Sequence, residues 1–269
     1  MDASLPPAWE PLTPMGVAAF AQASLRRLLL VQLIVALLVG GTVAWVLRDT
    51  YFPTISDAIA QLPATGEIRS GQLDWRGESP RLLAEGKFLA FSVDLEQAGA
   101  IRSPAHLQLE FGQRRLVLRS LLGYAAVDYP RAWIIAVNRT ELSPLWGAWR
   151  PWLLVATVGG VAISLLASWW VLATLYCAPV WLMGYFANRE LGWRASWRLA
   201  SAALLPGAFV MMMAFSFYDL GALDLVRLGV VFVGHLAVGW IYVGVSLFLV
   251  PRLADATKAK ANPFDSTKK

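Results

Sequence analysis

The sequence predicts a membrane α-helical bundle of four transmembrane helices with an inserted small β-rich extracytoplasmic domain. Three observations carry this reading. The chain has 269 residues, 57% of them hydrophobic and only 15% charged, against about 25% charged residues in average soluble domains. Apolar runs at 28–47, 152–187, 199–217 and 226–250 are of the size needed to cross a bilayer, for which about 20 residues suffice. Between the first and second runs, residues 51–150 regain charge and alternate strand-like stretches with turn signals.

In chain order, residues 1–27 read as a cytoplasmic N-terminal segment. Its first 13 residues are a Pro-rich tail, and Thr13 before Pro14 is an N-cap followed by a first helical position. The expected helix runs from Pro14 through Arg27 as a lead-in to transmembrane helix 1, residues 28–47. That run ends in AWVLRDT, which lacks the small-x-small cleavage site of a secretory signal, so it reads as an uncleaved anchor.

Residues 48–151 form the extracytoplasmic domain. A short helix is expected at 51–62, then strands at 67–69, 72–75, 82–85, 88–93, 106–111 and 115–119, with one or two more in 124–137. Ser70 with Gly71, Arg76 with Gly77, Glu85 with Gly86, and Gly112 with Gln113 punctuate them as turns. The lone cysteine, Cys177, excludes an intramolecular disulfide, so packing alone must hold this domain. Ser143 and Pro144 start a Trp-rich helix leading to the membrane, with Trp146, Trp149 and Trp152 suited to an interfacial belt.

Residues 152–250 hold transmembrane helices 2–4. The run 152–187 has no charged residue and is nearly twice one span. Read as two spans, it would break the positive-inside pattern. Read as one, it leaves Arg26, Arg27, Arg189, Arg194, Arg198, Arg252, Lys258 and Lys260 inside and the turn with Asp219 and Asp224 outside. The span therefore ends near Tyr176, Pro179 breaks or kinks the helix, and 177–198 is a cytoplasmic interfacial segment. Trp181 with Tyr185 and Leu182 with Phe186 are i, i+4 pairs in it. Residues 251–269 are a cytoplasmic tail. This places the protein in the cytoplasmic membrane with both termini inside.

Two ladders of small residues mark helix-packing faces: Ala36, Gly40 and Ala44 on the first span, and Ala156, Gly160, Ser164 and Ser168 on the second. Lipid supplies no hydrophobic drive between helices, so close backbone approach counts for more. The two faces are expected to pack together.

Functional candidates are few. His235 lies near mid-membrane, where an ionisable group is a functional hypothesis by default. A proton relay through it needs partners such as Gln32, Ser164, Ser168, Thr174 or Tyr242; the plainer reading is a neutral imidazole bonded to a neighbouring helix. Asp219, Asp224 and Arg227 form either a cation site or a solvated turn. Met211, Met212 and Met213 read as packing or lipid-facing residues rather than soft-metal ligands. Asn138-Arg139-Thr140 matches a glycosylation sequon, and Asn262-Pro263-Phe264 a short adaptor motif that reads as chance. Asp74, Glu78 and Asp94 could compose a scattered acidic site, but turns and solvated faces explain them better. No nucleophile, phosphate-loop, dinucleotide or zinc signature is present, and neither catalytic residues, a cofactor nor a metal is expected. The net charge of +5 belongs to membrane-flanking segments, not to nucleic-acid binding.

The lead-in PLTP, the stretch ISDAIAQLP and the segment EIRSGQLDWRGESPRLLAEGKFLAFSVD ending at Asp94, followed by a helical bundle, together resemble the bacterial MalA-type membrane proteins. That family is named for maltodextrin utilisation, is grouped loosely with the Yip-like superfamily, and has no known function. The likeness spans most of the chain in layout, with short motifs; the higher Trp and Arg content departs from it. It implies a bacterial cell-membrane protein and carries over no catalytic residue. The function expected is that of a non-enzymatic accessory protein anchored in the lipid bilayer. Its exterior, sensor-like domain would bind a protein partner or small ligand. A transporter or its accessory subunit is the alternative, and a membrane enzyme on lipid or envelope substrates the third reading.

The four-span count yields a direct prediction. Alkaline phosphatase fused after Ala187 is expected to stay inactive on the cytoplasmic side, and fused after Asp219 to be active outside. An active fusion after Ala187 would reverse the count.

Overall fold

The computed structural model describes residues 8–252. Most of the tail before residue 13 and all of 253–269, with Lys258, Lys260 and the Asn262-Pro263-Phe264 motif, lie outside the described residues. The first helices are α1 (Pro14–Phe20), α2 (Leu25–Val46), a π-helical turn (Leu47–Tyr51) and α3 (Phe52–Ala60). Strands β1 (Gly66–Arg69), β2 (Gln72–Trp75), β3 (Arg81–Glu85), β4 (Leu89–Val93), β5 (Leu107–Phe111), β6 (Arg115–Ser120), β7 (Gly123–Asp128) and β8 (Ile135–Ala136) follow. The chain then forms α4 (Arg139–Phe186), α5 (Trp193–Ala203), α6 (Leu205–Asp219) and α7 (Leu225–Leu249). Among the described residues, four helical stretches, Leu25–Ala60, Arg139–Phe186, Trp193–Asp219 and Leu225–Leu249, are long and apolar enough to cross a membrane. Val43–Val158 forms one compact unit, and the described residues before and after it form another.

In the helical unit, Thr13 caps α1 by accepting the Gly16 amide at 3.0 Å. The helix stops at Phe20 instead of running on to Arg27, and Ser24 starts α2 by accepting the Arg27 amide at 3.4 Å. The reason is burial. Val17, Ala18 and Phe20 sit in one core with Leu28 and Val35 of α2, Leu199 of α5 and Val243 of α7. A straight helix to Arg27 could not bury both faces, so the chain bends. The lead-in is thus part of the bundle core, and Tyr242 of α7 donates its hydroxyl to the Leu12 carbonyl at 2.7 Å just ahead of it.

Helix α4 also departs from expectation. It begins at Arg139, where the Asn138 side chain accepts the Glu141 amide at 2.9 Å, and runs 48 residues without ending at Pro144, Pro151 or Pro179. At 1.5 Å per residue that is about 72 Å, against roughly 30 Å of hydrocarbon. A proline forfeits one backbone bond and crowds the preceding turn, but apolar helices tolerate it. Pro179 is exposed, while Cys177, Val180 and Gly184 beside it are buried. The run expected at 199–217 is instead two helices, α5 and α6, parted at Leu204. Pro206, in the first turn of α6, has no amide to give the Ala202 carbonyl.

In the other unit the strands lie within two residues of their expected limits, and β7 and β8 fill 124–137. One sheet has the order β2-β1-β8 and the other β3-β4-β5-β6-β7. Ser70 and Gly71 both take positive φ, 51° and 76°, the geometry of a two-residue hairpin turn that matches strand twist. Leu73, Val93, Leu83 and Tyr129 form a core with Ala58 and Leu62 at the end of α3. Burial raises the Tyr129 phenol above its ordinary value, and its hydroxyl donates to the Gly112 carbonyl at 3.1 Å.

All strand pairs are antiparallel except β4 with β5, which is parallel. The connection 94–106 contains no helix; polar side chains hold it instead. Buried Asp94 accepts the Gly99 amide at 3.0 Å. Buried Gln108 accepts the Ser103 amide at 3.2 Å and donates to Ser92 Oγ at 2.8 Å and the Ile101 carbonyl at 3.1 Å. On the same sheet face Glu110, 1% exposed, receives both arms of Arg119 at 3.0 and 3.1 Å. That pairing, chiefly the hydrogen bond to Glu110, holds the Arg119 pKa above its usual value.

Arg119→Ala is expected to cost about 3 kcal/mol, because Glu110 would stay buried without its partner. The double variant Glu110→Leu with Arg119→Leu is expected to recover most of that loss. Chemical unfolding followed by Trp fluorescence measures both; equal losses in the single and double variants would count against the pair.

Candidate functional site

In the helical unit, Gln32 joins polar side chains of three helices. It is 0% exposed, donates Nε2 to Ser201 Oγ of α5 at 2.7 Å, and accepts Trp170 Nε1 of α4 at 3.3 Å. An uncharged carboxamide between three apolar helices is satisfied by a hydroxyl and an indole, which is what burial of such a group demands. The geometry builds a structural tie with no acid or base in it.

His235 does not join this group. Its Nδ1 contacts the Phe232 carbonyl, three residues back on the same helix, and its ring packs on Phe232 at 5.3 Å. The relay partners are engaged elsewhere: Thr174 with the Trp170 carbonyl and Trp197, Ser168 with the Leu165 carbonyl, Tyr242 with Leu12. Among the described residues none of them bonds His235. The neighbouring-helix bond expected for a neutral imidazole is replaced by one within α7. On the same side α6 approaches closely, and a Cβ on Gly207 would stand 3.1 Å from the His235 carbonyl oxygen.

Asp224 caps α7, accepting the Arg227 amide at 2.7 Å and pairing with the Arg227 guanidinium at 3.4 Å. Asp219 ends α6. Among the described residues no group of three or more His, Cys, Asp or Glu is placed to hold a metal ion.

The two small-residue ladders do not meet. Ala36, Gly40 and Ala44 are buried. Ala156, Gly160, Ser164 and Ser168 are exposed, and a Cβ on Gly160 would meet nothing within 4 Å. Helix α4 buries another stripe, Ala162, Trp169, Ala173, Cys177, Val180 and Gly184. Small residues permit close approach without requiring it, and a large ring, Trp169, sits in the packed stripe instead.

The acidic residues of the β-rich unit have separate local roles. Asp74 pairs with Arg76 at 3.6 Å, Asp94 organises the crossover, and the Glu78 carbonyl accepts Trp75 Nε1 at 3.0 Å. Asn138 of the sequon is buried and donates Nδ2 to the Gly66 carbonyl at 3.1 Å, so it fastens α4 to β1. Thr140 does the same through the Ala64 carbonyl at 3.0 Å.

What the sequence reading missed is a surface. Strand β7 lies at the edge of the five-stranded sheet, and all six of its residues are exposed. Tyr124 is 76% exposed and Leu122, in the turn before it, 99%; Leu121, Val127, Trp133 and Ile134 are exposed as well. The alternation in 124–137 pointed to a strand, but only the sheet order shows that it is an edge. Compared with known proteins, the chain matches no family model, no curated protein and no solved structure.

Gly207→Leu is expected to lower the melting temperature of the detergent-solubilised protein by several degrees, because α6 and α7 must separate. Gly160→Leu is expected to leave it within about one degree. A large loss at Gly160 would restore the ladder pairing.

Proposed function

We propose that this chain is an integral protein of the cytoplasmic membrane, of four membrane-crossing helices. Both termini are cytoplasmic, and the β-rich unit is displayed on the extracytoplasmic side as the seat of a protein partner. The activity is binding, not catalysis, and the bundle anchors it. The layout shared with MalA-type membrane proteins belongs to the same reading.

The topology draws support from the basic segments, which gather in the helical unit. Arg198 donates to the Ala23 carbonyl, beside Arg26 and Arg27, and Arg189 bridges Arg252 in a short antiparallel pair. Segments that meet this way lie on one side of a bilayer, and clustered arginines favour the cytoplasmic side. The turn with Asp219 and Asp224, at the far ends of α6 and α7, then lies opposite.

The observation that carries the binding role is β7. A long exposed edge with apolar side chains is a template for strand addition, and proteins commonly blunt such edges with lysine, proline or a covering element. Here Asp128, paired with Arg115 at 3.6 Å, is the only charged residue in the strand. An extended peptide segment of a partner can add to this edge through main-chain bonds, with Tyr124 and Val127 contributing side-chain contacts.

A photo-crosslinking residue at Tyr124 or Val127 is expected to yield one discrete adduct in native membranes. The same residue at exposed Glu96 is expected to yield none. Absence of an adduct from both β7 positions would remove the partner-binding role.

A further inference from the structure

The start of α5 and the start of α2 together bound a cavity of about 480 Å³ lined by Leu25, Trp193, Arg194, Trp197 and Arg198. Its walls are fixed from behind. Trp197 donates Nε1 to Thr174 Oγ1 at 3.1 Å, Cys177 donates to the Trp193 carbonyl at 3.4 Å, and Trp181 packs on Trp193 at 6.2 Å. Arg198 is held in place, donating Nε to the Arg194 carbonyl at 3.3 Å and Nη1 to the Ala23 carbonyl.

Among the described residues, no carboxylate pairs with the charge in this cavity. The Arg194 side chain is exposed and has no hydrogen-bond or ion-pair partner among the described residues. Arg26, Arg27, Arg189 and Arg198 have no carboxylate partner among them either; Arg27 lies over the Trp9 ring at 5.2 Å and Arg189 donates to the Val250 carbonyl at 2.8 Å. Guanidinium groups recognise phosphate through paired donors, and two of them share this cavity.

Leu25, which lines the cavity, also begins an apolar stripe on α2. From Leu25, steps of four residues along α2 reach Leu29, Leu33 and Leu37. Leu25, Leu33 and Leu37 are exposed and Leu29 is half-buried. A phosphate bound by Arg194 and Arg198 would therefore have an apolar stripe leading away from it, flanked at its mouth by the Trp193 indole.

We propose that this cavity binds the headgroup of an anionic phospholipid, its phosphate on Arg194 and Arg198 and an acyl chain along Leu25, Leu29, Leu33 and Leu37. The proposal rests on the membrane reading above. Free phosphate would satisfy the arginines but leave the leucine track unused. Basic pockets between membrane helices on the cytoplasmic side are a recurrent means of holding anionic headgroups.

The test uses the full chain purified in a neutral detergent and titrated with phosphatidylglycerol or phosphatidylcholine, with bound lipid counted by native mass spectrometry. Phosphatidylglycerol is expected to bind at least tenfold tighter than phosphatidylcholine. Arg194→Gln is expected to remove about tenfold of that preference with unchanged thermal stability. Arg227→Gln, on the opposite end of the helices, is expected to change nothing. Leu33→Ser is expected to weaken phosphatidylglycerol without altering its competition by inorganic phosphate. Equal binding of the two lipids, an unchanged Arg194→Gln variant, or full displacement by millimolar inorganic phosphate would each overturn the proposal. Carbonate extraction of cell membranes separates this from failure of the membrane reading. Protein that stays in the pellet but shows no lipid preference refutes the lipid site alone, and protein that is extracted refutes the membrane reading.

Discussion

A buried amide in an apolar bundle must find its partners on other helices, and Gln32 finds them on two. Its bonds to Ser201 and Trp170 join α2, α4 and α5 at one point. Apolar contact alone distinguishes poorly between rotations of a helix whose every face is apolar. A side chain with one donor and one acceptor role filled does distinguish them, because turning any of the three helices by a residue leaves a polar group unpaired. Around that point Val35, Ala36, Trp169 and Leu199 take their places in the core, and α1 closes over it.

The β-rich unit uses polar groups in another way. There the chain must cross from β4 to β5 without a helix, and the backbone of the crossover needs partners that no ladder supplies. Asp94 and Gln108 provide them from the sheet face below, with Ser92 accepting from the Gln108 amide to hold it. Glu110 and Arg119 complete that face. Of the three residues that look like a scattered acidic site, Asp94 supports this loop, while Asp74 pairs with Arg76 and the Glu78 carbonyl accepts the Trp75 indole.

The strands were legible because alternation and turn residues act locally. Ser70 with Gly71 and Gly112 with Gln113 sit where the sequence places them. The bundle was less legible for a physical reason. Where lipid-facing and protein-facing sides are equally apolar, periodicity carries no signal about which side packs, so the ladder at Ala156, Gly160, Ser164 and Ser168 looked like an interface and is exposed. Pro179 has the look of a break because proline ends most helices, yet α4 continues through it with the proline itself exposed. Gln32 was visible as a lone polar residue, but its partners, far along the chain, were not. The pocket around Arg194 escaped because its residues come from two segments whose proximity depends on Arg198 reaching the Ala23 carbonyl.

The parallel pairing of β4 and β5 has a consequence for how the sheet assembles. Antiparallel neighbours joined by a short turn, β5 with β6 and β6 with β7, close loops of a few residues and can zip as soon as the turn forms. The β4–β5 pair cannot begin until residues 94–106 have folded back and laid one strand alongside the other in the same direction. Closing a longer loop costs entropy before any bond repays it. The sheet is therefore expected to form as two pieces, β3 with β4 and β5 with β6 and β7, with their junction as the late and slow event. Until that junction closes, β4 and β5 are open edges besides β3 and β7, and the chain passes through a stage with more unpaired strand than the finished fold retains.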